Sequence, residues 1–228
     1  PFWHAPSLGQ YPKAPYNIIA LSQWAVREFK RVYHQNARYI QSIVVDASEY
    51  HGGRRRGDRF LTLGKMSPEK GNLAAILLCK SVGVPLDVAG GKSDDNYEKE
   101  VRKQCDGKIQ FLGEVTDEDK IKLMQRCRAL IYITAPDYEE VTSHKIQEAM
   151  FCGSPIITTS AGALPEIITQ GVDGFLCNTD REFQQAIRDV DKLDVSKTLK
   201  DNIKKYSIRE VCNNYVELYR EVKGGLRW

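Results

Sequence analysis

The sequence predicts an α/β fold built on a doubly wound parallel sheet. From about residue 60 onwards, short β-branched runs alternate with longer segments of helical periodicity, at the spacing of βαβ units. Right-handed crossovers then give a sheet of about six strands with helices on both faces. The residues suited to ligand binding lie in the strand-to-helix loops, where such sheets bind their ligands.

The elements follow from apolar runs, helical periodicity and the glycines and prolines that end them. Predicted strands cover residues 60–63, 85–89, 109–112, 129–133, 155–158 and 175–177. Predicted helices cover residues 71–81, 97–105, 117–127, 143–151 and 180–192, with a short helix at 165–169. The tail 207–222 has apolar residues at helical spacing and is predicted to form an amphipathic helix.

The chain divides into three predicted parts. Residues 1–52 form a partial or reduced N-terminal α/β unit, with strands at 18–22 and 39–45 around a helix at 24–33. One βαβ unit cannot close a sheet core by itself. A Gly/Arg loop at 52–57 indicates a hinge or boundary. Residues 53–205 form the Rossmann-like domain, and residues 206–228 form the C-terminal amphipathic helix.

Composition excludes several classes of function. A net charge of +3 over 228 residues gives no support to nucleic-acid binding, which needs a stronger basic excess. No apolar run approaches the ~18 residues of a membrane-spanning helix, and no signal-peptide pattern is recognisable. The six cysteines are dispersed, which favours a reduced, cytoplasmic chain over a disulfide or zinc framework.

The first candidate binding loop, GKMSPEKG at residues 64–71, follows a predicted strand and precedes a predicted helix. Its terminal glycines allow tight turns and close approach of a ligand. Lys65 and Lys70 bracket the loop, and Lys70 lies at the start of the predicted helix, where backbone N–H groups favour an anion. The alternative is an ordinary turn with two solvated lysines.

The second loop, at residues 136–155, contains Glu140 and Glu148 at a Glu-x7-Glu spacing. A carboxylate accepts several hydrogen bonds at once, which suits the paired hydroxyls of a sugar or ribose. Residues 141–144 are predicted to form the first helical turn, with N–H groups available to a phosphate. The alternative is a solvated helix face carrying glutamates.

The third loop, at residues 158–168, contains Gly162, which permits close backbone approach, and Glu166 at the start of a short helix. The alternative for Glu166 is a carboxylate that complements a helix dipole.

Together these segments resemble the C-terminal domain of retaining GT-B glycosyltransferases, family 4 of the glycosyltransferase classification. The resemblance covers about residues 60–178, and a closing helix that begins YSIREV is also similar to the family. The segments that carry it are GKMSPEKG, VAGG, FLGEV, EVTSHKIQEAMFCGSPII and AGALPEII.

The resemblance implies a nucleoside-diphosphate sugar as donor and a role for each matched residue. Lys65 and Lys70 would bind the pyrophosphate, Glu148 the ribose and Glu140 the transferred sugar. The N–H groups of Thr142, Ser143 and His144 would contact the distal phosphate. Val115 and Lys120 would border the base, and the backbone near Gly162 would border the sugar-phosphate site. No metal or other cofactor is required in this scheme, since lysines replace the cation.

This sequence departs from the family at two of these positions. Arginine is usual where Lys65 stands, so a planar fork is replaced by a point charge. Glycine is usual where Ser143 stands, which changes the phosphate-binding turn. In the N-terminal segment, PFWHAPS followed by NIIALS resembles the stretch that holds the family's histidine near the transferred sugar, with His4 in its place. The alternative is a partly exposed terminal histidine.

The activity that the resemblance implies is transfer of a hexose to an unknown carbohydrate, lipid-linked or protein acceptor, with retention of anomeric configuration. If the chain is complete, the acceptor half is reduced, or is supplied by a partner chain or by self-association. Two other hypotheses are a non-catalytic nucleotide-sugar-binding module and a sugar-nucleotide epimerase. The run Arg54-Arg55-Arg56 suggests a peripheral position on the inner face of the membrane.

Overall fold

The computed structural model describes residues 17–52 and 56–228 of the chain. The strands are β1 (Ile19–Ala20), β2 (Arg38–Tyr39), β3 (Phe60–Leu63), β4 (Leu86–Ala89), β5 (Ile109–Gly113), β6 (Leu130–Tyr132), β7 (Ile156–Thr159) and β8 (Gly174–Cys177). The helices are α1 (Gln23–Tyr33), α2 (Asn72–Val82), α3 (Asp95–Lys103), α4 (Asp117–Arg126), α5 (His144–Phe151), α6 (Asp180–Asp189), α7 (Ser196–Lys205) and α8 (Ile208–Lys223).

The predicted doubly wound α/β fold is confirmed. Six strands form one sheet in the order β5-β4-β3-β6-β7-β8, and every pairing in it is parallel. The chain winds outwards from β3 to β5 and then crosses over to β6, so the winding direction reverses between β3 and β6. A crevice opens at the carboxyl ends of the strands at such a reversal.

Each face of the sheet carries its own hydrophobic core. One core joins α2, α3 and α6 to the sheet and contains Phe60, Ile76 and Phe183. The other joins α4 and α5 to the opposite face and contains Leu61 and Met124. All four residues of β3 are buried, as expected for a strand with helices on both sides.

Several predicted boundaries in the Rossmann-like domain are corrected by local capping. α3 begins at Asp95, two residues before its predicted start, because Asp94 accepts hydrogen bonds from the N–H groups of Asn96 and Tyr97. The predicted helix 180–192 is α-helical to Asp189 and continues as a 3₁₀ turn, Val190–Lys192. The predicted helix 165–169 is a 3₁₀ turn, Leu164–Glu166. α7 was missed, although Val195, Leu199 and Ile203 recur at helical spacing.

The N-terminal segment forms a small separate sheet in which β1 pairs with β2 in parallel. The predicted strand 39–45 was too long, since only Arg38 and Tyr39 pair. Beyond them the chain leaves the sheet and packs on the larger domain, where Ile43 and Val45 join a cluster with Phe151 and Tyr206. Pairing stops after Tyr39 because β1, its partner strand among the described residues, is itself only two residues long.

Two sets of contacts join this segment to the rest of the chain. The Glu166 carboxylate accepts hydrogen bonds from the N–H groups of Gln23 at 2.8 Å and Trp24 at 2.5 Å, so it caps the start of α1. α8 and the residues after it form the second set of contacts with this segment. Trp228 Nε1 donates to the Ile18 carbonyl at 2.7 Å, and Tyr215 shares a 2.6 Å hydroxyl contact with Ser42.

Candidate functional site at the reversal of the sheet

The site lies where the loops after β3 and β6 meet. Because these two strands are neighbours at the reversal, their following loops, residues 64–71 and 133–143, lie at the same crevice. Gly71 brings the two loops into direct contact. Its φ is 56°, and a Cβ there would stand 2.2 Å from the Ile133 carbonyl oxygen. This glycine therefore serves packing between the loops.

Lys70 and Glu140 form the centre of the site. The Lys70 ammonium lies 2.5 Å from Glu140 Oε1, and both side chains are largely buried, with 15% and 8% exposed. Lys70 also donates to the hydroxyls of Tyr138 at 2.9 Å and Tyr132 at 3.3 Å. Tyr132, at the end of β6, in turn donates to Glu140. Lys70, the predicted phosphate-binding residue, and Glu140, the predicted sugar-binding residue, therefore form an ion pair with each other.

Local charge keeps Lys70 protonated. Burial by itself would lower the pKa of its ammonium, but Tyr132, Glu140 and Tyr138 outweigh burial and raise the pKa. Burial and the neighbouring Glu140 carboxylate also raise the pKa of Tyr132, so its hydroxyl stays protonated. Lys70 and Glu140 thus contact each other directly and are also bridged by the Tyr132 hydroxyl, while Tyr138 accepts a hydrogen bond from Lys70.

Glu148 belongs to a second cluster and lies in the second turn of α5. Its Oε1 accepts a hydrogen bond from the Tyr50 hydroxyl at 3.0 Å and lies 3.4 Å from Lys120 Nζ. Lys120 also pairs with Asp117 at 3.0 Å and lies 5.4 Å from the centre of the Tyr50 ring. Burial lowers the pKa of Lys120, but Tyr50, Asp117 and Glu148 outweigh it and raise that pKa. The structure therefore places Lys120, which was predicted to border the base, next to Glu148, which was predicted to bind the ribose.

The start of α5 corrects the predicted phosphate-binding turn. Only His144 onwards is helical, and Ser143 is the N-cap, so Val141 and Thr142 precede the helix. The Ser143 side chain makes no capping hydrogen bond, which leaves the first N–H groups of α5 uncapped by it. The prediction that all four residues 141–144 form the first helical turn is therefore wrong for Val141 and Thr142.

Gly162 lies against the backbone of Glu140. Its φ is 56°, and a Cβ at this position would stand 2.2 Å from the Glu140 carbonyl oxygen. The adjacent Ala163 N–H donates to the same carbonyl at 2.7 Å. The absence of a side chain at Gly162 therefore lets its backbone pack on that of Glu140, which helps to position Glu140.

The remaining predicted site residues are less closely joined to these clusters. Lys65 and His144 are exposed, while Thr142 is partly buried and lines a cavity of about 310 Å³ beside α1. Val115 packs against the core beneath α4 and lines a surface groove with Leu112 and Leu123. His4 lies outside the described residues. Within residues 17–52 and 56–228, no cluster of three or more metal-binding side chains is present.

The sequence did not single out Tyr50, Tyr132, Tyr138 or Lys145 as site residues. Tyr132 ends a strand at the crevice and Tyr138 lies in the Glu140 loop, so their positions were a usable signal. Tyr50 gave no signal, because 98 residues separate it from Glu148. Lys145 is partly buried on α5, and burial followed by the charge of Lys70 lowers its pKa.

Comparison with curated proteins gives three informative relatives. An uncharacterised glycosyltransferase of Methanocaldococcus jannaschii is 28% identical over 151 residues, covering 64% of this chain and 42% of that protein. The O-antigen chain mannosyltransferase B of Escherichia coli is 33% identical and covers 47% of this chain and 30% of the relative. Human alpha-1,3/1,6-mannosyltransferase ALG2 is 31% identical, with coverages of 46% and 27%. The chain thus spans less than half the length of each relative.

Solved structures share the fold at lower identity. AviGT4, a glycosyltransferase involved in avilamycin A biosynthesis, superimposes with a TM-score of 0.76 at 22% identity, covering 92% of this chain and 65% of that one. Anabaena HepE in complex with UDP and glucose gives a TM-score of 0.75 at 20% identity, with coverages of 90% and 63%.

The model of the family described as Glycosyl transferases group 1 matches residues 51–210, which include both lysine–glutamate pairs and the loops around them. The chain belongs to this family of glycosyl transferases.

Proposed function

We propose that this chain carries the donor-binding part of a glycosyltransferase, which moves a hexose from a nucleoside-diphosphate sugar to an acceptor with retention of configuration. The observation that carries the proposal is the Lys70–Glu140 pair at the reversal of the sheet. A protonated lysine and a buried carboxylate, fixed side by side, suit a substrate that carries phosphate charge next to sugar hydroxyls.

Each residue of the two clusters has a role in this proposal. Lys70 and the exposed Lys65 bind the pyrophosphate, while Glu140 accepts hydrogen bonds from the transferred sugar. Glu148 binds the ribose hydroxyls, and Lys120 and Val115 border the base. The uncapped N–H groups at the start of α5 face the distal phosphate. The fold neighbour HepE was solved both with UDP and with UDP-glucose, which supports a nucleotide-sugar donor.

The chemistry in this proposal depends on positioned charge. As the bond from the anomeric carbon to the diphosphate breaks, negative charge grows on the leaving oxygen, and Lys70 with the α5 N-terminus stabilises it. These groups take the place of a metal ion. The acceptor hydroxyl attacks from the face that the diphosphate leaves and gives its proton to the leaving diphosphate oxygen, so the configuration is retained.

The proposal includes a cytoplasmic protein, since the cysteines lie singly and four of them are buried as free thiols. None of the helices in residues 17–52 and 56–228 combines the length and the apolar composition needed to cross a bilayer. Arg54 and Arg55, on which the expected membrane-surface contact depends, lie outside the described residues.

Nucleotide binding by purified protein tests the proposal. UDP, GDP and ADP are titrated by calorimetry, and the matching sugar nucleotides are then assayed for release of free nucleoside diphosphate. We expect one diphosphate to bind best. We expect Glu148→Ala to weaken that binding about tenfold or more, because it removes a carboxylate that accepts two hydroxyl hydrogen bonds.

Glu139→Ala is the matched control, since Glu139 is exposed and adjacent to Glu140. It should bind the nucleotide as the wild type does. Binding without release of diphosphate in the presence of sugar nucleotides would favour a non-catalytic module. Unchanged nucleotide affinity in both Glu148→Ala and Lys70→Ala would refute the assigned site.

A further inference from the structure

Lys145 is a lysine of the α5 N-terminus that has no ion-pair partner among the described residues. It lies in the first turn of α5, between Glu140 and Glu148 in the sequence, and is partly buried. Among the described residues, it has no carboxylate within 4.0 Å, whereas Lys70 and Lys120 each have one. A partly buried ammonium without a partner is unfavourable, so this position is suited to an anion.

Both neighbouring carboxylates are committed to other cations. Glu140 is paired with Lys70 at 2.5 Å, and Glu148 is held by Lys120 and the Tyr50 hydroxyl. The charged groups that act on Lys145 are Lys65, Lys70, Glu140 and Glu148. With Lys120 and its second partner Asp117 included, four lysines stand against three carboxylates. Positive charge is in excess at this point of the crevice.

The backbone adds to this excess. Lys145 is the second residue of α5, and the Ser143 side chain caps none of the first N–H groups of the helix. Lys145 therefore belongs to the helical turn at which the positive end of the dipole lies. An anion with several oxygens can bind the ammonium and these N–H groups together.

We propose that Lys145 is an additional phosphate-binding residue of the donor site, and that it contacts the pyrophosphate of a nucleoside diphosphate directly. This inference rests on the proposed function and adds to it a residue for which the family resemblance gave no role. Glu140 offsets part of the charge of Lys70, whereas Lys145 has no paired carboxylate among the described residues, so Lys145 adds positive charge to that of Lys70 and Lys65. Its protonation supports the same assignment, since burial and Lys70 lower its pKa and a bound phosphate raises it again.

The test compares Lys145→Gln, Lys145→Arg and the wild type in calorimetric titrations. The probes are UDP and GDP, their phosphate-free counterparts uridine and guanosine, and inorganic pyrophosphate. We expect Lys145→Gln to weaken the diphosphate that the wild type prefers about tenfold, and to leave the nucleoside within about twofold. Lys145→Arg should retain most of the affinity, because it keeps the charge.

The number of protons taken up on diphosphate binding is a second measurement, and it would not change if Lys145 had only a structural role. The titrations are repeated in buffers of different ionisation enthalpy as the pH is raised above neutrality. Wild-type protein should take up protons when the diphosphate binds, since binding raises the pKa of Lys145, and affinity should fall as the pH rises through that range. Lys145→Gln should lose this uptake.

Lys122→Gln is the control for a general charge effect, because Lys122 is exposed on α4 and paired with Glu118. Circular dichroism and thermal melting check that each variant is folded. Equal diphosphate affinity and equal proton uptake in Lys145→Gln and wild type would overturn the role of Lys145 and leave the proposed function standing. Absence of binding by the wild type to both nucleotides and to pyrophosphate would overturn both.

Discussion

Two lysine–glutamate pairs stand at the carboxyl edge of the same sheet, and the protein holds them differently. Lys70 and Glu140 are 2.5 Å apart, with 15% and 8% of their side chains exposed. Lys120 and Glu148 are 3.4 Å apart, with 18% and 16% exposed. The first pair is enclosed by Tyr132 from β6, whereas the second is covered by Tyr50 from the N-terminal segment.

The difference shows that the two carboxylates have separate supports. Within the described residues, the hydrogen-bond partners of the Glu140 side chain come from the loops and strands at the sheet reversal. Glu148 depends in part on a residue that precedes the family-matched domain by one position, since that match begins at residue 51. The Glu140 carboxylate is therefore held by residues of the family-matched domain. The Glu148 carboxylate is also held by a residue of the N-terminal segment.

The largest expected effect comes from Gly162, which supports the backbone of Glu140. Gly162→Ala places a Cβ 2.2 Å from the Glu140 carbonyl oxygen, in a residue whose φ is 56°. We expect the free energy of unfolding to fall by about 4 kcal/mol, from backbone strain and overpacking together. Urea unfolding measures this change.

Gly171→Ala is its matched control, because Gly171 has a φ of 74° and a Cβ added there would meet none of the described atoms beyond its chain neighbours within 4 Å. It should lose only about 1 kcal/mol, the cost of the left-handed backbone alone. Equal losses in the two alanine variants would show that the contact with Glu140 does not matter.

The next effect distinguishes the two ion pairs directly. Glu140→Gln leaves the Lys70 ammonium buried without its counter-ion, so we expect a loss of about 3 kcal/mol in the free energy of unfolding. A double-mutant cycle with Lys70→Met should give a coupling of about 2 kcal/mol. The corresponding cycle of Glu148→Gln with Lys120→Met should give about 0.5 kcal/mol, since this pair is longer and more exposed. Equal couplings would remove the distinction drawn between the pairs.

The smallest effect concerns the hydroxyl that joins the N-terminal segment to Glu148. Tyr50→Phe removes one hydrogen bond and keeps the ring packed, so the free energy of unfolding should fall by about 0.5 to 1 kcal/mol. Tyr219→Phe should change it by less than about 0.5 kcal/mol, because Tyr219 is 64% exposed. Thermal melting of the two variants side by side is the measurement. A Tyr50→Phe variant as stable as Tyr219→Phe would show that Glu148 does not depend on Tyr50.

Local sequence determined most of the fold. Alternating β-branched runs and helical periodicity predicted all six strands of the main sheet, since burial on both faces demands apolar strands of limited length. The boundaries that shifted lie where a side chain captures backbone N–H groups, as Asp94 does at α3. The extended prediction at 39–45 failed because pairing depends on a partner strand elsewhere in the chain.

Part of the candidate site was likewise predictable from the sequence, and part was decided only by the tertiary structure. The residues by themselves singled out Lys70, Glu140 and Glu148 and placed them in loops at the carboxyl ends of strands, because loop position follows from strand order. Lys120 was implied only by the family resemblance. Only the tertiary structure decided which lysine meets which glutamate, and that Tyr50 covers one pair while Lys145 has no carboxylate partner in the part of the chain that is described. Ion pairs and burial depend on distances between residues far apart in the chain, and spacing along one sequence does not contain those distances.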